Sequence, residues 1–282
     1  MAVSQISFQW LKSYFDNRQQ RTVYNSISSD SAHVSVGVPQ GSVLGPLMFF
    51  IYINDIQDCL QFTNATLYAD DTALYCSSES ANDLQDKLNH DLASVTNWMR
   101  SNKLTLNTST SKFMLVGSRR RLGAIQSIEI QGTGEHLERV HSFKHLGIII
   151  NEQLDWSDHI DYIQKKVSSR LSILRRIRHL LPIKTRKLIY NSLILPLLDY
   201  GDIMLGDRCN KALMDKLQVL QHKAAKVILD RPLFSSASEV LEDLHWKNIF
   251  NRRTFNRNLF VFKSFDNLIE YNFNILSGKD VT

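Results

Sequence analysis

The chain has 282 residues, of which 43% are hydrophobic and 22% charged, with 11 glycines and 5 prolines. This composition excludes a disordered chain, a collagen-like repeat and a low-complexity tail, and it leaves one large domain or two of ordinary size. Lysine and arginine outnumber aspartate and glutamate by 33 to 28, and the resulting net charge of +5 matters only where it is concentrated.

The predicted elements change character part-way along the chain. The first 150 residues predict mixed helix and strand and the rest predict helices, so we expect a boundary near Asn151. Runs rich in β-branched and aromatic residues predict strands at residues 33–36, 65–69, 72–76, 113–116, 128–131 and 143–150. Apolar residues at helical spacing predict helices at residues 80–99, 156–177, 213–228 and 246–265. A further helix begins near Lys184 and must kink or end at Pro196.

The cysteines and the longest apolar run indicate the cellular compartment in which the protein is expected. Three widely spaced cysteines form no C-x-x-C pair, which argues against a disulfide framework or a zinc site and favours a reducing, intracellular compartment: Cys59, Cys76 and Cys209. The longest apolar run, residues 43–53, is interrupted by Gly45 and Pro46 and is too short to span a bilayer. We therefore expect a nuclear or cytoplasmic protein without a membrane partner.

Two adjacent aspartates are the strongest chemical signal. The strand-like runs 65–69 and 72–76 are separated only by Asp70 and Asp71, which predicts a tight hairpin with both carboxylates at its tip. Like charges held this close repel each other, so the arrangement suits a hard divalent cation such as Mg²⁺. A solvated turn is the alternative, because aspartate tolerates turn geometry.

Two further features fit phosphate chemistry. Gly37, Gly41 and Gly45, together with Pro39, predict an irregular loop that lets backbone approach a ligand and leads into a helix whose N–H groups attract phosphate. An ordinary turn before a buried helix explains the same residues. Lys112 opens a predicted strand, where a cation could stabilise charge on a leaving pyrophosphate, and a surface lysine is the alternative.

These motifs resemble those of a known family. Tyr68-Ala69-Asp70-Asp71 is similar to the polymerase active-site motif of reverse transcriptases, and residues 37–47 resemble the preceding segment in non-long-terminal-repeat retrotransposon enzymes, especially jockey-like ones. Residues 102–107 with Lys112, and then residues 143–147, resemble the next two palm motifs in the same order. The resemblance implies an α+β fold, namely a right-hand polymerase palm fragment with an antiparallel sheet and flanking helices, followed by an all-helical thumb. It divides the chain into partial fingers and palm (1–150), a thumb-like domain (151–231) and a helical C-terminal extension (232–282).

The resemblance also implies roles and partners. RNA-directed DNA synthesis would use an RNA template, a DNA primer and deoxynucleoside triphosphates, with Mg²⁺, or alternatively Mn²⁺, at the catalytic residues Asp70 and Asp71. The residues implied to contact the nucleotide, the template or the primer end are Pro39, Gln40, Gly41, Tyr68 and Lys112. Phe143 and Gly147 resemble the turn that grips the primer, and a hairpin packed on the core is the alternative. The oligomeric state stays open.

The charge is concentrated in the helical half. Residues 162–198 contain no aspartate or glutamate. We expect nucleic-acid contacts from six lysine and arginine side chains of this stretch: Lys165, Lys166, Arg170, Arg175, Arg176 and Arg178. A solvated helix face is the alternative. Farther along, three aspartates are expected in a solvated loop: Asp199, Asp202 and Asp207.

One part of the family pattern is missing. Phosphoryl transfer by two metal ions needs carboxylates that bridge both ions, and in this family a further aspartate comes from an upstream Ala-Phe-Asp string that this sequence lacks. We therefore expect an N-terminally truncated reverse transcriptase with weak or no catalysis. The alternative is a non-catalytic nucleic-acid-binding remnant of a mobile element, and a third outcome is a chain that does not fold because a sheet edge is exposed.

Overall fold

A computed structural model describes residues 5–35, 37–39, 41–125, 127–132, 134–205, 211–232, 234–266 and 268–269. Its helices are α1 (Gln5–Phe15), α2 (Gly45–Ile53), α3 (Ala81–Ser101), α4 (Arg119–Ala124), α5 (Ser157–Ile177), α6 (Ile183–Ile189), α7 (Leu195–Asp199), α8 (Asp202–Leu205), α9 (Lys211–Leu229), α10 (Ala237–Asp243) and α11 (Ile249–Phe265). Short 3₁₀ helices cover Asn54–Cys59 and Arg178–Leu180, and a π-helix covers Tyr190–Ile194.

The strands are short. They are β1 (Gln19–Gln20), β2 (Val23–Tyr24), β3 (Ile27–Ser28), β4 (Ala32–His33), β5 (Asn64–Tyr68), β6 (Asp71–Tyr75), β7 (Lys112–Phe113), β8 (Gln131–Gly132), β9 (Glu135–His136), β10 (Glu138–Arg139), β11 (Ser142–His145) and β12 (Ile148–Asn151). Antiparallel pairs form between β1 and β4, β2 and β3, β5 and β6, β8 and β9, and β11 and β12. The mixture of helices and small sheets is compatible with the expected α+β fold, although the described strands pair two by two rather than in one antiparallel sheet.

The chain divides into two compact units. The first comprises Met1–Lys112 and Ile125–Glu138, and the second comprises Phe113–Ala124 and Arg139–Thr282. β11 and β12 fall in the second unit because they pack with α5, where the backbone N–H of Ile149 donates to Nδ1 of His159 (3.3 Å). The predicted limits at residues 150 and 231 stay a prediction of how the domains are organised.

The core of the first unit forms around α3. Leu92 and Val95 lie on the apolar stripe of this amphipathic helix and are buried. Other buried apolar side chains of the unit are Ile53, Ile56, Ile128 and Ile130. Side-chain amides of α3 hold the β8 segment, because Gln85 Oε1 accepts from Glu129 N (2.8 Å) and Asn89 Oδ1 accepts from Gln131 N (2.9 Å).

The core of the second unit lies between α5 and α9. From Ile160 onwards α5 buries one residue every three or four positions, which is the period of a helix with one apolar face, and His159 is buried beside the first of them: Ile160, Ile163, Val167, Leu171 and Leu174. The facing side of α9 contributes Leu217, Leu220, Ala224 and Ile228. The buried guanidinium of Arg186 is satisfied by two carbonyls, with Nε donating to Leu181 O (2.8 Å) and Nη1 to Ile228 O (2.9 Å).

Pro196 distorts its helix without ending it. Proline has no N–H to donate and its ring crowds the preceding turn, so the hydrogen-bond pattern must change nearby. The chain forms the π-helix Tyr190–Ile194, in which Leu195 N donates to Tyr190 O, and then continues as α7. The helix expected to kink or end at Pro196 is thus interrupted as an α-helix just before the proline, and the α-helix resumes at Leu195.

Several predicted elements differ from the structure. The helices predicted at residues 80–99, 156–177, 213–228 and 246–265 are confirmed as α3, α5, α9 and α11. The single strand predicted at residues 143–150 is wrong, because Leu146 and Gly147 adopt positive φ angles (47° and 86°) and turn the chain between β11 and β12. The strands predicted at residues 33–36, 113–116 and 128–131 are shorter than expected and are shifted, to β4, β7 and β8, and residue 36 lies outside the described residues.

One stretch is long and apolar enough to cross a membrane. Residues Ile183–Leu205 pass this test by length and composition, which is weak evidence for a membrane span. Tyr190, Ile194, Leu198 and Leu205 of this stretch are buried in the core of the second unit. A core helix has the same apolar composition.

Candidate active site and nucleic-acid interface

The β5–β6 hairpin carries the adjacent aspartates. Tyr68 pairs with Asp71 across the two strands, so the turn consists of Ala69 and Asp70, and Ala69 adopts a positive φ of 54°. The predicted tip of Asp70 and Asp71 is therefore wrong by one residue, because Asp71 is the first residue of β6. Both aspartates are exposed, and so is the ring of Tyr68, at 63%.

Neither carboxylate has a protein partner. Within the described residues no hydrogen bond or ion pair engages Asp70 or Asp71, and both residues are exposed. Two carboxylates fit the oxygen ligands that Mg²⁺ takes, since this ion is usually held by one or two carboxylates together with substrate phosphates. No cluster of three or more His, Cys, Asp or Glu side chains occurs among the described residues, so the pair is an incomplete cage for two ions.

A buried carboxylate anchors the base of this hairpin. Asp91 on α3 is fully buried and accepts from the backbone N–H groups of Gln61 (3.1 Å), Phe62 (2.8 Å) and Thr63 (2.7 Å) at Oδ2. The Thr63 hydroxyl (2.9 Å) and His90 Nδ1 (3.0 Å) donate to it as well. Burial alone would raise the pKa of Asp91, but the hydrogen bonds from His90, Phe62 and Thr63 outweigh burial and hold the pKa well below its usual value. The segment that enters β5 is thereby fixed to α3.

The glycine-rich loop is held by one hydroxyl. Ser42 Oγ accepts from the backbone N–H of Gly45 (2.9 Å) and is hydrogen bonded to Tyr14 Oη (2.6 Å). A Cβ on Gly45 would lie 3.0 Å from that Oγ and 3.3 Å from Pro39 O, so a larger residue at this position would have to displace the Ser42 hydroxyl. Gly41 is exposed and has a φ of +79°. Gln40 lies outside the described residues.

Lys112 is engaged in an ion pair. Its Nζ lies 2.6 Å from Glu138 Oε2, and the lysine side chain is 25% exposed. Lys112 opens β7, as expected. To reach a triphosphate it would have to leave Glu138. No hydrogen bond or ion pair among the described residues links Lys112 or the glycine-rich loop to Asp70 or Asp71.

The β11–β12 turn lies in the second unit. Phe143 on β11 is exposed, and Lys144 Nζ lies 5.1 Å from the ring centroid of Tyr162 on α5. Gly147 is half-buried against Tyr200, so the predicted primer-grip turn is also packed on its own unit.

The basic residues of α5 and of the 3₁₀ helix that follows it divide into two groups. Lys165, Lys166, Arg175 and Arg176 are exposed, and Lys165 and Arg176 project directly away from the buried stripe, about 17 Å apart along the helix. Arg170 instead donates to Leu193 O. Arg178 likewise is not free, since its Nε pairs with Asp230 Oδ1 at 2.5 Å. This salt bridge lowers the pKa of Asp230.

The expected solvated loop around Asp199 and Asp202 is wrong. Asp199 accepts two hydrogen bonds from Arg252, at 2.7 and 2.6 Å, and Asp202 is 6% exposed and accepts from Asn256 Nδ2 at 2.6 Å. Both are thus used to hold α11. Asp207 and Cys209 lie outside the described residues.

Comparison with known proteins identifies the family. Residues 1–150 match the family described as reverse transcriptase (RNA-dependent DNA polymerase). The chain belongs to the reverse transcriptase family. The probable RNA-directed DNA polymerase from transposon X-element of Drosophila melanogaster is 26% identical over 251 residues, which cover 86% of this chain and 27% of that protein. The RNA-directed DNA polymerase from mobile element jockey of the same species is 28% identical over 245 residues, with coverage of 83% and 26%.

The reverse transcriptase match extends beyond one group of elements. The Pol polyprotein from type-1 retrotransposable element R1 of Nasonia vitripennis is 27% identical over 145 residues, which cover 50% of this chain and 43% of that protein. This reverse transcriptase chain spans 27% and 26% of the lengths of the X-element and jockey proteins. The resemblance read from the motifs is therefore confirmed at the level of the family.

Sequence reasoning missed two residues of this reverse transcriptase that support the site. Asp91 falls between Leu88 and Val95 on the apolar stripe of α3, and an acid at such a position signals a buried, hydrogen-bonded carboxylate. Ser42 gives no comparable signal, because serine is common in turns.

Proposed function

We propose that this chain is the part of a retrotransposon reverse transcriptase that holds the primer end and the RNA–DNA duplex, with Asp70 and Asp71 as its metal ligands. The reaction is RNA-templated addition of deoxynucleotides to a 3′ hydroxyl. The observation that carries the proposal is the exposed pair of partnerless carboxylates on a hairpin inside the stretch that matches the family.

Each proposed site residue has a role that follows from the chemistry of its side chain. Asp70 and Asp71 bind the divalent cation, which neutralises charge on the transferred phosphoryl group when bound. Tyr68 presents an exposed ring on the face that also carries Asp71, where it can contact the primer end. Pro39, Gln40 and Gly41 border the nucleotide, and Lys112 contributes positive charge once it is released from Glu138.

The duplex is bound through the exposed face of α5. Lys165 and Arg176 lie on the exposed face of α5, with Lys166 and Arg175 on its two opposite flanks, so these cations can contact phosphates at separate points along the helix without reading sequence. Arg170 and Arg178 support this face instead, because their guanidinium groups are already engaged. Mg²⁺ or Mn²⁺, template, primer and deoxynucleoside triphosphates are thus the proposed ligands, and an intracellular location, nuclear or cytoplasmic, is proposed to accompany them.

Catalysis by the chain alone is proposed to be weak. Two ions need more bridging carboxylates than Asp70 and Asp71 provide, and the described residues offer no third acid beside them. Robust primer extension by the purified chain, abolished by Asp70→Asn, would refute this part of the proposal.

A metal titration tests the central claim. Mg²⁺ at about ten times its dissociation constant should stabilise the protein by about 1.4 kcal/mol if it binds the folded state only. Asp70→Asn and Asp71→Asn should abolish this gain, while Asp86→Asn, an exposed aspartate on α3, should keep it. Equal Mg²⁺ responses in all four proteins would overturn the assignment of Asp70 and Asp71.

The second candidate function is nucleic-acid binding without catalysis. It is favoured by the exposed lysine and arginine side chains of α5, which can bind phosphate without a metal ion. Replacing Lys165 and Arg176 by alanine should reduce the salt dependence of duplex binding by about 2 in log–log slope, since each phosphate contact contributes about 0.9. The non-catalytic function would be established by two results together. The double replacement would reduce the salt dependence of duplex binding as stated, and Mg²⁺ would change neither thermal stability nor nucleotide affinity.

A further inference from the structure

The segment of residues 198–202 fits closely against the β11–β12 turn. Tyr200 Oη donates a hydrogen bond to the carbonyl of Leu146 at 2.5 Å. A Cβ on Gly147 would lie 3.2 Å from Cε1 of Tyr200, and a Cβ on Gly201 would lie only 2.6 Å from Cδ1 of Ile148. Neither side of this contact therefore has room for one more carbon atom.

The turn needs such support. Leu146 has a φ of +47° and Gly147 a φ of +86°. The left-handed region is unfavourable for leucine, and a residue persists there only where surrounding groups hold it. The Tyr200 hydroxyl donates to the carbonyl of this same leucine, so it supports the turn at the strained residue itself.

The opposite side of the segment is fixed by α11. Arg252 forms a bidentate ion pair with Asp199, with Nε to Oδ1 at 2.7 Å and Nη2 to Oδ2 at 2.6 Å. One residue later, Arg253 Nη2 donates to Leu198 O at 3.4 Å, and a turn farther along Asn256 Nδ2 donates to Asp202 Oδ2 at 2.6 Å. These bonds grip both ends of the segment that carries Tyr200.

The geometry points to Tyr200 as a positioning residue for the β11–β12 turn, with α11 fixing Tyr200 through the ion pair of Arg252 and Asp199. As far as the nucleic acid is concerned, this inference rests on the proposed function, in which the turn contacts the primer. The orientation of the turn sets where the exposed Phe143 meets that strand. The C-terminal helix thereby takes part in presenting the primer-binding turn, although it lies about 100 residues later in the chain.

Amide hydrogen exchange tests the positioning role directly. Tyr200→Phe removes only the hydroxyl, and the loss of one such hydrogen bond should accelerate exchange at residues 145–148 about fivefold. Arg252→Gln should accelerate the same amides without touching the turn. Arg231→Gln breaks the exposed ion pair with Asp243 in the same unit and should leave them unchanged. Unchanged exchange in the first two variants, or acceleration spread evenly over α5 and α9, would overturn the inference.

Duplex binding separates this inference from the proposed function. Tyr200→Phe should weaken binding of a primer–template with a recessed 3′ end several-fold and leave binding of a blunt RNA–DNA duplex of equal length unchanged. Equal weakening of both, or of neither, would overturn the role in primer placement. If the wild-type chain binds neither duplex, the proposed function fails, and the exchange experiment still decides whether Tyr200 positions the turn.

Discussion

Asp91 gives the sharpest test of how the hairpin is held. Its carboxylate is fully buried and accepts from three backbone N–H groups, one hydroxyl and one imidazole. Asparagine at this position keeps one acceptor oxygen but turns an NH₂ group towards the same donors. Because hydrogen bonds to a charged group contribute about 1.5–3 kcal/mol each, we expect Asp91→Asn to lower the free energy of unfolding by about 3 kcal/mol or more.

The same carboxylate makes a pH-dependent contribution. Burial acts to raise the pKa of Asp91, and the hydrogen bonds lower it by more, so the folded pKa lies below the unfolded value of about 3.9. As the pH falls, the unfolded chain binds this proton first. The stabilisation is therefore complete above about pH 5 and is lost as the pH falls towards the folded pKa, at no more than about 1.4 kcal/mol per pH unit.

Urea unfolding followed by circular dichroism measures both effects, and hydrogen exchange at residues 61–63 localises them. The difference in stability between wild type and Asp91→Asn should shrink between about pH 5 and about pH 3. Asp86→Asn, an exposed change on the same helix, should cost less than about 0.5 kcal/mol. A difference below about 1 kcal/mol, or one that stays constant over this pH range, would refute the reasoning.

Two further changes test the packing. Gly45→Ala should destabilise the protein by about 1–2 kcal/mol, because the new Cβ would lie 3.0 Å from Ser42 Oγ; Gly123→Ala, on a helix with nothing within 4 Å, should leave the melting temperature unchanged or raise it. Leu217→Ala should cost about 3 kcal/mol by urea unfolding, because Leu217 is 0% exposed, whereas Leu180→Ala, at 71% exposure, should cost less than about 0.5 kcal/mol. Equal effects within either pair would contradict the packing described.

The helices were predictable because their burial has a period. α3, α5 and α9 each bury one stripe, so apolar spacing alone placed them within a few residues. The hairpin was predictable as a hairpin but not in register. In the structure Tyr68 pairs with Asp71, which lies two residues earlier in the chain than the partner implied by the predicted turn. A shift of two residues leaves the same side chains on each face of the hairpin. Alternation therefore could not choose between the registers, and the turn at Ala69 decides.

The supporting contacts were not predictable because they join distant residues. Asp91 meets residues 61–63 nearly 30 positions earlier, and Tyr200 meets Leu146 at a separation of 54. The propensity of a residue for helix or strand depends on its neighbours in the sequence, so it carries no information about contacts between distant residues. Asp199 looks like a loop residue by composition, and only the approach of α11 converts it into the partner of Arg252.

The two units differ in how many apolar side chains they bury. The second unit has a continuous core of buried apolar residues from β12 to α11. In the described part of the first unit fewer apolar side chains are buried, while Ile6 and Ile51 are 81% and 63% exposed. Because local stability follows the number of buried contacts, we expect the unit that carries Asp70 and Asp71 to open more readily. There the hydrogen bonds from residues 61–63 to Asp91 fix the segment that leads into the hairpin, so we expect the loss of this carboxylate to loosen the hairpin before it affects the second unit.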